Sequence, residues 1–433
     1  MSLPNADPER LAVTGLSGGG WQTIILSSLD TRVKLSMPVA GYSGFRTRAR
    51  QTWDLGDSEQ APVDLAMTAD YTHLTCFLAP RPARLTYNAK DNCCCFKAEG
   101  AATLVEAASP VYQLLGAPER LRTHVNHDEG HNYGVDNRQT FYTMLRDFFY
   151  DGRADWNTTE IDSASEYKTP AELTVPVPEG NATFNSLARQ LAQTLPRDAT
   201  VPGEPAELAA WQNRKREELA QIVRWQDYEV KVVGSTPETA GPVAATWWRL
   251  ATFDADETWT LCAVEVAKGE AKRTVMLVAD GGHAGATREV EELVNAGARV
   301  FVVDPLFIGE SAFDWNPVRY SVHISSSGGR PMGIQASQLA AVARWVKKER
   351  GAASLSLVSI GPRAGLAALV AAGLEPEAFA ELETRGGMRT LQEIIEKDTS
   401  IDAEPTYFTF GLLEAFDIPQ LSALVVPRPM AMK

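Results

Sequence analysis

The chain has no run of apolar residues approaching the roughly 18 that a membrane-spanning helix needs. It also has no basic cluster of the kind that docks on nucleic acid. Lys and Arg number 41 against 55 Asp and Glu, a formal net charge of −14. A surface of that sign repels phosphate backbones and anionic lipid, so neither nucleic acid nor membrane is expected as a partner. Cysteine is scarce, with five residues at positions 76, 93, 94, 95 and 262. An odd count with three consecutive members is neither a disulfide framework nor a zinc-ligand spacing, so no metal and no cofactor is expected. The first ten residues lack the basic-then-apolar pattern of a secretory leader. Hydrophobic residues, by contrast, make up 44% of the 433 positions. That is enough to build sizeable cores and argues against wholesale disorder. At roughly 150 residues per domain, the length fits three domains or two large ones.

Along residues 1–150, apolar runs alternate with amphipathic ones. Strands are expected at 11–14, 33–40 and 83–87, with a short one at 120–126. Helices are expected at 18–29, at 101–115 (with Pro110 in its interior) and at 138–149. Strands alternating with helices imply an α/β fold, a mostly parallel sheet with helices on both faces. Residues 151–242 change character into a weakly periodic connector with prolines at 170, 176 and 178. A charged amphipathic helix at 207–224 follows, with Leu208, Trp211, Leu219, Ile222 and Val223 on one face. From 243 to 433 the α/β pattern resumes, with strands expected at 274–279, 298–303, 354–359 and 421–426.

Two segments match in order and spacing. Leu11-Ala-Val-Thr-Gly-Leu-Ser-Gly-Gly19 parallels Leu357-Val-Ser-Ile-Gly-Pro-Arg-Ala-Gly365, and Leu78-Ala-Pro-Arg-Pro82 parallels Val425-Val-Pro-Arg-Pro429. Ser17 precedes Pro80 by 63 residues and Arg363 precedes Pro427 by 64. The expected organisation is therefore two tandem, incomplete copies of one domain type. On this alignment Arg363 stands where Ser17 does.

Gly15-Leu16-Ser17-Gly18-Gly19 is a G-x-S-x-G sequence between an expected strand and an expected helix, the context of a nucleophile elbow. Such a turn holds the serine in a strained backbone conformation, with glycines allowing strand and helix to approach. Its hydroxyl stands at a helix N-terminus, where the N–H of Gly18 can stabilise an oxyanion. The bland alternative is a glycine-rich turn with an idle serine. A serine needs a base, and the base an orienting acid. Asp91 lies just past the strand that contains Tyr87, on the rim where the elbow opens. His131 follows Gly130 in a loop after the next strand, which suits a mobile base. His127 is second choice, and His124 reads as a strand residue. A turn-capping Asp91 and a surface His131 are the competing assignments. Cys93-Cys-Cys95 is expected to pack the wall under Asp91.

Asp7-Pro-Glu-Arg-Leu-Ala-Val-Thr-Gly-Leu-Ser-Gly-Gly-Gly-Trp21, Leu78-Ala-Pro-Arg-Pro82, Tyr87-Asn-Ala-Lys-Asp91 and Gly130-His-Asn-Tyr133 together resemble the α/β-hydrolases of the acetylxylan-esterase and dienelactone-hydrolase-like group. The likeness is strongest to its tandem two-module form. It covers residues 1–150 specifically and 243–433 loosely. It implies an α/β-hydrolase fold, with Ser17 as nucleophile, Asp91 as acid, His131 as base and Gly18 as one oxyanion donor. It also implies hydrolysis of short acyl esters, such as acetyl groups on plant polysaccharide, and a secreted or periplasmic location if an upstream region exists. The family places several strands before the elbow, one of which leads to a second oxyanion donor. Only sixteen residues precede Ser17 here, so the first copy is expected to lack its early strands. The second copy keeps a comparable loop, Asp280-Gly-Gly-His-Ala-Gly285, in which Gly281 and Gly282 read as a relic oxyanion turn. With arginine for serine it is expected to be non-catalytic. Three readings follow: a serine carboxylesterase, a silent scaffold or binding protein, and a serine peptidase, the last without any visible gating domain. Completion of the first copy by another chain would make the protein a homo-oligomer.

Overall fold

The computed structural model describes residues 6–50, 56–93, 97–313 and 316–433. The chain forms two compact units, Met1–Pro178 with Val322–Gly328, and Glu179–Ser321 with Gly329–Lys433.

The first unit is built on four parallel strands in sequential order, β1 (Ala12–Leu16), β2 (Leu35–Val39), β3 (Ala83–Lys90) and β4 (Leu121–Glu129). Parallel strands are covered on both faces, so they read as near-continuous apolar or buried runs. β2 is buried throughout, and β3 through its first six residues. Leu85 and Tyr87 of β3 enter a core with Ile24 of α1 (Gly18–Leu29), Leu74 of α3 (Tyr71–Cys76) and Leu104 and Ala108 of α4 (Gly100–Leu114). A short α2 (Phe45–Arg50) precedes α3. The opposite face of β3 meets α5 (Val135–Phe149): the Arg84 guanidinium donates to the Thr140 carbonyl at 2.9 Å, and the Asn137 amide to Asn88 Oδ1 at 3.0 Å. The expected strands and helices of this region are present. Pro110 stays inside α4 rather than ending it, because Leu104, Ala108 and Tyr112 bury one stripe at i, i+4, i+8.

The second unit holds an eight-stranded sheet in the order β12-β11-β10-β8-β9-β7-β6-β5. β8 (Arg273–Ala279), β9 (Ala298–Asp304), β10 (Leu355–Ile360), β11 (Glu381–Arg385) and β12 (Met430–Met432) are parallel. β5 (Glu229–Ala240), β6 (Val243–Phe253) and β7 (Thr258–Lys268) add antiparallel pairs on one side. In β8 the faces alternate cleanly. Met276 and Val278 pack in the core that holds α9 (Pro331–Glu349) and α10 (Pro362–Leu374), while Val275, Leu277 and Ala279 pack in the cluster that holds Leu293 of α8 (Thr287–Asn295). The helix expected at 207–224 is α7 (Pro205–Val223), following α6 (Phe184–Ala192), and its Trp211, Leu219 and Val223 lie inside the unit's main core.

The strand expected at 421–426 is a misassignment. Ile418–Ala423 is a helix, started by a reciprocal capping box between Asp417 and Gln420, and the last strand is β12, beyond Pro429. A short apolar run fits a buried helix as well as a strand, and the cap decides it. The hairpin strands β5 to β7 and strand β11 were not expected. β5 is mostly exposed and rich in Thr, Ser and Glu, which masks its period.

Leu219 is fully buried and Leu191 of α6 is 71% exposed. Leu219→Ala is expected to cost about 2–5 kcal/mol and Leu191→Ala within about 0.5 kcal/mol, measured by urea unfolding.

Candidate active site

The turn after β1 is tightly constrained. β1 pairs with β2 up to Leu16 opposite Val39, and the Ser17 N–H then donates to the Val39 carbonyl at 3.0 Å. Ser17 adopts φ 60°, ψ −122°. This is a left-handed region that costs a non-glycine residue about 1–3 kcal/mol. α1 starts at the next residue, and the Trp21 N–H closes its first turn on the Ser17 carbonyl at 2.9 Å. Ser17 occupies the N-cap position, yet its hydroxyl makes no capping bond. It is left available for chemistry above the sheet. Neighbouring glycines explain how the turn closes. A Cβ on Gly15 would lie 2.7 Å from the Gly19 carbonyl carbon, and one on Gly20 would lie 2.6 Å from the Val39 oxygen. Gly19 itself would meet nothing within 4 Å. The tight approach therefore needs glycine at 15 and 20, and only the backbone of 19. The N–H groups of the first turn, Gly18 among them, have no acceptor within the helix.

Since the four strands are parallel, the segments after β1, β3 and β4 open on one rim of the sheet. The structure places Asp91 and His131 together there. His131 Nδ1 and Asp91 Oδ2 are 2.7 Å apart, with the Asp91 side chain fully buried and that of His131 15% exposed. A carboxylate only accepts, so Nδ1 carries the proton and Nε2 is left as the acceptor. Nε2 is buried and has no hydrogen-bond partner among the described residues. Asp91 receives the Cys93 N–H at 3.0 Å and the Asn88 amide at 3.4 Å. Burial works to raise the Asp91 pKa. The hydrogen bonds from His131, Cys93 and Asn88 outweigh it and hold the carboxyl below its ordinary value. Among the alternatives, His124 pairs with Asp136 at 2.6 Å on β4, and His127 is exposed.

An asparagine network, absent from the sequence reasoning, holds the histidine loop. The Asn88 and Asn137 amides both donate to the Asn132 carbonyl, at 3.1 and 2.9 Å. The Asn126 amide donates to Asn132 Oδ1 at 3.0 Å, and Asn92 Oδ1 accepts the His131 N–H at 3.0 Å. Asn88, Asn126 and Asn137 are buried. Gly130 turns the chain with φ 79°, and its N–H donates to the Lys90 carbonyl at 3.1 Å. Tyr133 reaches across to β1, its hydroxyl 2.6 Å from Thr14 Oγ1. This ties the loop carrying His131 to the strand that carries Ser17. The only signal for the network is the recurrence of asparagine at 88, 92, 126, 132 and 137. The cysteine expectation needs correcting. Cys93 is exposed and touches Asp91 through its backbone N–H, not through a packed thiol. Cys94 and Cys95 lie outside the described residues.

The corresponding turn of the second unit differs. β10 ends at Ile360, Gly361 takes φ 95°, its N–H donates to the Arg385 carbonyl at 2.8 Å, and Gly365 N–H closes on the Gly361 carbonyl. Gly361, not Arg363, is therefore the counterpart of Ser17. The sequence alignment matched the wrong glycine because both segments have glycines four apart. Here the N–H groups of Arg363 and Ala364 are taken by the Asp280 carboxylate, at 3.3 and 2.6 Å. The loop read as an oxyanion relic is occupied as well, since the His283 N–H donates to Asp304 Oδ1 at 2.8 Å. In both Pro-Arg-Pro turns the arginine donates to backbone carbonyls. Arg81 bonds the carbonyls of Val33 and Phe77, and Arg428 those of Phe379 and Val425.

No protein-family model matches the chain, and no curated protein matches it. Among solved structures it is similar to a candidate acetyl xylan esterase of Bacteroides fragilis, at 13% identity and a TM-score of 0.47, over 60% of this chain and 77% of that one. A glucuronoyl esterase of carbohydrate esterase family 15 from Teredinibacter turnerae is similar at 14% identity and a TM-score of 0.33, over 69% and 81% of the two chains. One from Caldicellulosiruptor kristjansonii is similar at 20% identity and a TM-score of 0.28, over 41% and 52%. At these values the chemistry rests on the geometry of the site itself.

Gly15→Ala is expected to destabilise the protein by about 1–3 kcal/mol through overpacking, while Gly19→Ala is neutral or gains up to about 1 kcal/mol. Thermal unfolding of the pair checks this. A depressed carboxyl stabilises above its unfolded value, and that contribution is lost as pH falls through the folded value. The stability gap between wild type and Asp91→Asn should accordingly be largest above about pH 4 and close on acidification.

Proposed function

We propose that the protein is a serine-dependent carboxylic ester hydrolase that removes short acyl groups, acetyl among them, from small esters or acetylated carbohydrate. The observation that carries this is the His131 imidazole. Its Nδ1 is fixed by a buried carboxylate, and its Nε2 is buried without a partner on the rim where the strained Ser17 turn opens. A base so oriented has one free lone pair, and the nearest use for it is the proton of a nucleophile.

In this mechanism Ser17 Oγ attacks the ester carbonyl carbon as its proton passes to His131 Nε2. The carbonyl oxygen becomes an oxyanion, stabilised by the Gly18 N–H at the start of α1. The C–O bond to the alcohol breaks, and the alcohol oxygen takes the proton from the imidazolium. Water then repeats the sequence on the acyl-Ser17 ester and releases the acid. Asp91 stays ionised and keeps the imidazole in the productive tautomer. The Asn88, Asn132 and Asn137 contacts hold the loop that presents it. The second unit, in our reading, is a related copy without catalytic function. Its turn carries a glycine and its helix N–H groups are already satisfied.

One observation favours a silent scaffold instead. Among the described residues β1 is the edge of its sheet, so no strand beyond it leads to a second oxyanion donor. Steady-state hydrolysis of 4-nitrophenyl acetate separates the two readings. An esterase loses about 10³-fold or more in kcat with Ser17→Ala, His131→Ala or Asp91→Asn, singly and non-additively. Absence of turnover by the folded wild type, or turnover unchanged in Ser17→Ala, supports the scaffold.

A further inference from the structure

A carboxylate stands beside the oxyanion turn. Beyond its chain neighbours and the backbone of its own helix, the space a Gly18 side chain would take meets Glu59 Oε1, at 3.2 Å, and no other heavy atom of the described residues within 4 Å. Glu59 is exposed and has no ion-pair partner among the described residues. Its position is built rather than incidental. It lies in the 3₁₀ turn Ser58–Gln60, closed by a reciprocal capping box between Asp57 and Gln60. The turn is tied to the start of α1 through a buried tyrosine: the Trp21 indole donates to Tyr71 Oη at 2.8 Å, and Tyr71 Oη donates to the Gln60 carbonyl at 2.7 Å. Arg48 reinforces the same carbonyl at 3.0 Å. Nearby charges are differently engaged. The Arg48 guanidinium is fully buried, bonded to Ser43 and Gln60, and Asp70 caps α3 and holds the Phe45 N–H. Glu59 thus brings a carboxylate against the Gly18 turn.

We propose that Glu59 sets the charge specificity of the site: it disfavours esters carrying a negative group near the scissile bond and leaves neutral and cationic ones unhindered. This rests on the esterase reading above. At a solvent-exposed site, two like charges a few ångströms apart repel enough to change a rate constant about three- to tenfold. A negative group on the departing alcohol would sit within that range of Glu59, whereas a neutral sugar hydroxyl can donate a hydrogen bond to the carboxylate.

The test uses the full chain and two acetyl esters with the same acyl group, neutral 2-nitrophenyl acetate and its 4-sulfonate. The readout is kcat/KM for each, in wild type, Glu59→Gln and a remote charge control, Glu119→Gln, that removes the same net charge from an exposed turn. Glu59→Gln is expected to raise kcat/KM for the sulfonate about three- to tenfold and to move that for the neutral ester less than twofold. Glu119→Gln should leave the ratio unchanged. Added salt should narrow the wild-type preference and have little effect in Glu59→Gln. If Glu59→Gln does not fold, Glu59→Ala gives the same readout. A sulfonate-to-neutral ratio that is the same in wild type and the Glu59 variant overturns the inference while leaving the esterase reading intact. No turnover of either ester by folded wild type overturns both.

Discussion

The account depends on one close approach of backbone to backbone. β1 and α1 come so near that a Cβ on Gly15 would sit 2.7 Å from Gly19, and only a left-handed residue can join them. Placing serine there costs conformational energy. In return, its hydroxyl stands clear of the helix, above the N–H groups of the first turn. β3 and β4 then bring Asp91 and His131 to the same rim of the sheet. Their separation is fixed by a network of buried amides rather than by apolar packing. Such a network is stiff to the extent that it is satisfied: the Asn88, Asn126 and Asn137 amides all donate within it, while Asn137 Oδ1 is buried without a partner among the described residues.

The two units show how one turn can be open or closed to chemistry. In the first, the helix N-terminus carries a serine, and Asp91, past β3 on the same rim, spends one oxygen on a backbone N–H and the other on an imidazole. In the second, the turn carries Gly361, and Asp280 bonds the helix N–H groups directly. A helix N-terminus attracts an anion, and here the chain's own carboxylate fills that role. Each unit also has a Pro-Arg-Pro turn whose arginine donates to backbone carbonyls, Val33 and Phe77 in the first and Phe379 and Val425 in the second.

Much of this was legible because parallel strands buried on both faces read as unbroken apolar runs, and because a G-x-S-x-G between a strand and a helix has few physical uses. Asp91 and His131 could be singled out since the residues just past successive parallel strands share a rim. What escaped did so for identifiable reasons. β5 is a mostly exposed hairpin strand whose polar residues hide its period, and β6 and β7 are buried over only part of their length. Residues 418–423 form a helix on the strength of Asp417 and Gln420, a cap that an apolar run conceals. The asparagine network has no pattern beyond composition, because Asn88, Asn132 and Asn137 meet only through the register of β3 and β4 and the turn at Gly130. The register of the second elbow was lost because the glycine pairs 15/19 and 361/365 align on their own spacing, two residues away from the register that the positive φ of Ser17 and Gly361 gives.

The central claim is that His131, oriented by Asp91, activates Ser17. Mass-spectrometric mapping of the adduct formed by a fluorophosphonate tests it most directly. The account predicts a single phosphonylated peptide containing Ser17, formed rapidly in wild type and at least about 100-fold more slowly in His131→Ala. A folded protein that takes no adduct at Ser17, or one labelled there equally fast without His131, would contradict it.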